Sequence, residues 1–145
     1  MPASFQEIEL AFEWVSMSGG LGDYAAFLCR RTGKIYHYAE HGDAAEFNDE
    51  LPDDIEDKEK YLAIPNKREL DLGKPLVLDF ARQYLPDDFD EIRYIFSRKG
   101  AYRKFRAFLA RRHAIDCWYK FENEATERAL RNWCEMNAIT LADDR

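Results

Sequence analysis

The sequence predicts an α+β fold: a small antiparallel sheet, built from an N-terminal hairpin and a third short strand, packed with about five helices, the C-terminal half being all-helical. Three observations lead there. Two aromatic-rich runs at 24–29 and 34–39 flank a glycine-containing turn. Apolar residues after position 70 recur at helical spacing almost to the end. The 21 aromatic residues among 145 supply enough core material for ordered packing. A chain of this length is expected to form one domain over 1–145, burying roughly 68–70% of its unfolded surface without staples.

The elements follow in order. Ser4 and Glu7 form a capping-box pattern, and Phe5, Ile8, Phe12 and Val15 recur with helical period, predicting a helix over 4–17. Ser18-Gly19-Gly20-Leu21-Gly22-Asp23 stops it, because glycine tolerates the left-handed geometry of helix ends. The runs 24–29 and 34–39 read as a hairpin, with Gly33 supplying a positive φ at the turn. Alternation puts Ile35, His37 and Ala39 on one face of the second strand and Tyr36 and Tyr38 on the other. Both faces are partly apolar, so a helix is expected on at least one of them. Residues 41–60 carry nine acids and two lysines around Pro52, which predicts an acidic solvated loop. Tyr61-Leu62-Ala63-Ile64 reads as the third strand.

Four helices are then expected. Pro75 sits in a first turn, and Leu76, Phe80 and Tyr84 mark an inner face. Pro86-Asp87-Asp88 starts the next helix, with Ile92, Ile95 and Phe96 inward and Arg98-Lys99-Gly100 closing it. A helix over 101–112 aligns Tyr102, Phe105, Phe108 and Leu109. The last, over 116–136, aligns Trp118, Phe121, Ala125, Ala129 and Trp133, and Asn137-Ala138-Ile139 stops it.

These pieces, taken in order, resemble the bacterial uncharacterised protein family 0158. The resemblance is carried by Thr32-Gly33-Lys34, Tyr61-Leu62-Ala63-Ile64-Pro65, Gly100-Ala101-Tyr102-Arg103-Lys104-Phe105, Trp118-Tyr119-x-Phe121 and Trp133…Asn137-x-Ile139. It spans roughly residues 24–139 and implies a bacterial cytoplasmic globular domain. The family has no assigned reaction, so the resemblance brings no catalytic residues with it.

Composition excludes other classes. No apolar run approaches the roughly 20 residues of a bilayer span, so no membrane association is expected. The start, Met1-Pro2-Ala3-Ser4-Phe5, lacks the basic head and apolar centre of a signal peptide. Cys29, Cys117 and Cys134 are few and widely spaced, as reduced cytoplasmic thiols are. His37 and His41 are four apart, about 13 Å along a strand and too far for one ion. No metal site and no cofactor is expected. No G-x-S-x-G elbow occurs, and Gly19-Gly20-Leu21-Gly22 leaves a helix rather than opening one, the reverse of phosphate-binding loops. No catalytic residue is assigned. An enzyme would need a pocket assembled from distant groups such as His37, His113 and loop carboxylates.

One segment stands out. Between Ile92 and Ile115 lie eight cations (Arg93, Arg98, Lys99, Arg103, Lys104, Arg106, Arg111 and Arg112) and no acid, while the remaining residues sum to −15. Arg98 and Lys99 close one helix and Arg111 and Arg112 the next, where cations complement the dipole. Arg93, Arg103, Lys104 and Arg106 lack that explanation. The expectation is a non-catalytic protein-interaction or regulatory domain, with Arg93, Arg103, Lys104, Arg106, Trp118 and Tyr119 as surface contributors and a protein as partner. The alternative is a nucleic-acid-associated protein using 92–115, its aromatics stacking on bases. The acidic loop is a candidate cover for the basic helices, which would inhibit such binding.

Overall fold

The Ser4 hydroxyl accepts the Glu7 backbone N–H at 3.4 Å, so the hydroxyl half of the expected capping box forms. Behind it the helical stripe buries Phe5, Ile8, Ala11, Phe12 and Val15. The computed structural model describes residues 2–16, 24–39 and 48–142; the glycine turn at 18–23, His41 and the first part of the acidic loop lie outside them. The elements are α1 (Phe5–Ser16), β1 (Tyr24–Cys29), β2 (Ile35–Ala39), β3 (Tyr61–Ala63), α2 (Lys74–Tyr84), α3 (Phe89–Ile95), α4 (Ala101–Arg111) and α5 (Ile115–Met136). Five helices and one antiparallel sheet of order β2-β1-β3 make the α+β architecture that the sequence predicts.

The chain divides into two compact units, Met1–Leu70 with Ala129–Arg145 and Asp71–Arg128. In the first, Ala26 opposes His37 and Leu28 opposes both Ile35 and Leu62, which places these side chains on one face of the sheet. α1 covers that face: Trp14 stacks on Tyr24 at 4.8 Å, meets His37 edge-on, and donates its indole N–H to the Ala25 carbonyl at 3.0 Å. Tyr36 and Tyr61 meet edge-on at 6.3 Å on the opposite face.

The hairpin turn needs glycine for two reasons. Gly33 has φ +77°, and a Cβ there would stand 2.6 Å from the Pro2 carbonyl oxygen. The N-terminal segment is held by the C-terminal one: Ala3 donates to the Thr140 carbonyl at 2.8 Å and Ala142 to the Ala3 carbonyl at 2.7 Å. Asn137 and Ala138 end α5 as the sequence predicts. The Asn137 amide donates to the Trp133 carbonyl, Ala138 takes φ 57°, and Ile139 N–H reaches back to the Cys134 carbonyl.

β2 is an edge strand, and the acidic segment protects it. Asn48 uses both ends of its side-chain amide on the N–H and C=O of Ala39, while Asp49 exchanges two bonds with the His37 backbone. Residues 52–61 then continue as a run of tight turns, Asp54 binding Lys60 at 2.9 Å and the Tyr61 hydroxyl at 3.1 Å. The hydrogen bond from Lys60 holds the Asp54 carboxyl below its ordinary range. The described part of this segment is thus mostly exposed and is held by its own hydrogen bonds.

In the second unit, rings fill the interior. Phe105 lies 5.3 Å from Phe96 and 5.2 Å from Trp118, and Trp118 lies 5.2 Å from Phe80, which is 5.3 Å from Phe121. Phe80, Ile92, Phe105 and Leu109 are fully buried. Three expectations need correction. Tyr84 is 52% exposed, resting on Phe80 rather than facing inward. Trp133 is only partly buried and belongs to the first unit. α3 ends at Ile95, so Arg98-Lys99-Gly100 does not close it; Ser97 takes the Tyr94 carbonyl at 2.6 Å and Phe96 leaves the helix.

Two stability predictions follow from these contacts. Gly33→Ala is expected to cost at least about 2 kcal/mol in a urea titration, since alanine must either hold the positive φ with its Cβ against the Pro2 carbonyl or displace the N-terminal segment. Burial pushes the Cys134 thiol from 9.0 to about 11. Its raised value stabilises the fold at pH below about 9, and that stabilisation, on the order of 2 kcal/mol, should drain away as pH climbs toward 11. Cys134→Ala should flatten this alkaline loss in denaturation curves measured across that range.

Candidate functional site

α4 presents two unlike faces. Phe105, Phe108 and Leu109 are buried, and helical geometry then turns Arg103, Lys104, Arg106, Ala107, Ala110 and Arg111 to solvent, where all six are exposed. The two alanines leave a shallow surface flanked by cations. Arg93, Lys99, Arg103, Lys104 and Arg106 make no ion pair among the described residues.

The two ends of α4 differ electrostatically. At its C-terminus Arg111 and Arg112 stand over the Phe108 ring, and Arg112 makes a bidentate pair with Asp88 at 3.1 and 3.2 Å, which raises the Arg112 pKa further. Those cations complement the dipole there. At the N-terminus the left-handed Gly100 provides no side-chain cap and the first turn holds no acid. Arg98, Lys99, Arg103 and Lys104 crowd this positive end instead. The shortened α3 is what moves Arg98 and Lys99 from a favourable helix end to an unfavourable helix start, whereas Arg93 lies in the last turn of α3. Arg98 covers the exposed Tyr94 ring at 5.0 Å.

Of the six residues predicted to contribute to a surface, α4 brings together Arg103, Lys104 and Arg106. Arg93 is exposed on α3, and Tyr119 is 43% exposed on α5. Trp118 is a correction: it is 3% exposed, edge-on to Phe80 and Phe105, and belongs to the core. Phe96, Tyr102 and Phe105 also pack on one another and form no stacking platform.

Sequence reasoning missed a second feature in the other unit. A cleft of about 280 Å3 opens where the N-terminal segment, the end of β1 and the cap of α5 converge, with Cys29, Arg30, Gly33 and Thr140 in its wall. Arg30 donates to the Asn137 carbonyl at 3.0 Å across it. Burial pushes the Cys29 thiol up, but the Thr32 hydroxyl and amide, the Arg31 amide and the Arg31 charge outweigh it and hold the thiol below 9.0. No histidine or carboxylate lines the cleft among the described residues. The signal in the sequence was the pairing of the Thr32-Gly33 turn with the Asn137 helix stop, each read as a local device only. No group of three or more potential metal ligands occurs among the described residues, and no helix there is long and apolar enough to cross a membrane.

These features define a class: an α+β protein with a three-stranded antiparallel sheet and a helical half in which α4 presents a cationic face. More particularly, the chain belongs to the Uncharacterised protein family (UPF0158), whose model matches residues 12–145. No curated protein and no solved structure matches it.

Cations at the positive end of a helix leave a thermodynamic mark. Arg103→Glu places an acid in the first turn of α4, three residues before Arg106, and is expected to raise stability by about 0.5–1 kcal/mol. Thermal denaturation checks this; a lowered midpoint would mean that Arg103 supports the fold.

Proposed function

We propose that the protein is a cytoplasmic, non-catalytic interaction module that captures an acidic segment of a protein partner on the N-terminal half of α4. The observation carrying this reading is the gathering of Arg98, Lys99, Arg103 and Lys104 at a helix start without an acid or a side-chain cap. Four cations in the first turn and the two positions before its cap raise the local potential at the positive end of the dipole, and those in the first turn each cost the isolated helix a few tenths of a kcal/mol or more. An anionic partner reverses that sign and takes up the surplus field. Carboxylates are preferred over bases as ligands because Phe96, Tyr102 and Phe105 pack on one another or into the core, which leaves Tyr94 as the exposed ring beside these cations.

Affinity capture from nuclease-treated extract tests the proposal. The wild-type chain should retain a protein that R103E/K104E loses by about tenfold or more, while the variant stays folded by circular dichroism. Equal retention by the variant removes the basic face from the account.

A second reading has support in the acid-free run of eight cations over 92–115 and in the exposed Tyr94 beside Arg98. On that reading the partner is a nucleic acid held by its phosphates. Its signature is a log–log dependence of affinity on salt with slope about −3 to −4, as four neutralised phosphates require. A nuclease-resistant protein partner with a shallower slope favours the first reading.

A further inference from the structure

The acidic turns of the sheet unit match the cationic face in valence and in availability. Asp53, Glu56 and Glu59 recur every three residues along the run of i→i+3 turns that begins at Pro52, Glu50 lies just before it, and all four are exposed. Their carboxylates make no ion pair among the described residues, whereas the neighbouring Asp49, Asp54 and Asp57 are used within the segment or on β2. The turns are fixed in place by Asp54 on Lys60 and Tyr61, and by Asn48 and Asp49 on the edge of β2. A pre-ordered anionic ridge loses less entropy on docking than a free acidic tail does. On the other side, Lys99, Arg103, Lys104 and Arg106 are four exposed cations without ion pairs, on a face kept shallow by Ala107 and Ala110. The charge divides between the two units in the same sense: Asp71–Arg128 carries twelve Lys and Arg against ten acids, and the remainder nine against eighteen.

We infer that the acidic ridge at 50–59 of one copy docks on the α4 face of a second copy, so that the protein associates with itself head to tail through charge. The inference rests on the reading of α4 as an anion-binding face, and it names one occupant of that face. It also supplies regulation: a copy engaged with its neighbour has its α4 covered, and an acidic partner must compete for it. Exposed ion pairs are individually weak and screened, so the association is shallow and sensitive to salt.

Charge-swapped variants of the full chain, followed by sedimentation velocity at low salt, test it. R103E/K104E/R106E makes both surfaces acidic, and D53K/E56K/E59K makes both basic. Wild type should grow in average mass with concentration, and its association constant should fall by about tenfold or more when salt is raised to several Debye-lengths' worth of screening. Each variant alone should sediment as a monomer, and an equimolar mixture of the two should associate again, because each now complements the other. A wild type that stays monomeric at every concentration, or a mixture that fails to pair, overturns the inference. Capture of a foreign acidic protein by wild type is read separately, so failure here leaves the α4 reading standing, and loss of both removes the two together. Circular dichroism of each variant, with the milder pair R106E and E56K as a second set, separates misfolding from loss of contact.

Discussion

The packing of Phe105 between Phe96 and Trp118 is the constraint on which the helical unit depends. Once Phe105, Phe108 and Leu109 are committed to the interior, the helical period leaves Arg103, Lys104 and Arg106 no direction except outward. Turning the helix would carry guanidinium groups among rings, at a desolvation cost of several kcal/mol per charge. The location of the cationic face is thus a result of packing. Its sign is not: at the N-terminal end of α4 glutamates would serve the fold better than cations, whereas at the C-terminal end the dipole and Asp88 favour arginine.

α4 shows one residue type used in two opposite ways. Arg112 satisfies the helix end, spans to Asp88 and lies over Phe108, and each of these contacts stabilises the unit. Arg103, a little over two turns away, has none of them. The contrast separates, by local electrostatics alone, an arginine that the fold uses from one that it leaves to solvent. The same contrast marks the acidic turns, where Asp54 is bound within the segment and Asp53 beside it is left to solvent.

Most of the fold was legible in the sequence because its signals are local. Capping at Ser4, the glycine at 33, the period of α4 and the stop at Asn137 each act within a few residues, and each is found where it was expected. The errors arose where a local signal had a competitor. Arg98-Lys99-Gly100 has the composition of a helix stop, but Ser97 bonds back to Tyr94 and ends regular α3 sooner. Trp118 and Tyr119 are adjacent, and neighbours on a helix point about 100° apart, so Trp118 faces the rings while Tyr119 reaches the surface. The cleft beside Cys29 was invisible for another reason: it joins positions more than a hundred residues apart in the chain, and no spacing rule reaches that far.

The contact between Asn48, Asp49 and β2 has a consequence for anyone who shortens the acidic segment. Those two residues finish the ladder of a strand that otherwise ends in open amide and carbonyl groups. Trimming them along with the carboxylates would remove charge repulsion and bare a sticky ribbon edge in the same stroke. A truncated chain would then clump through backbone pairing, a behaviour easily mistaken for release of a hidden binding face.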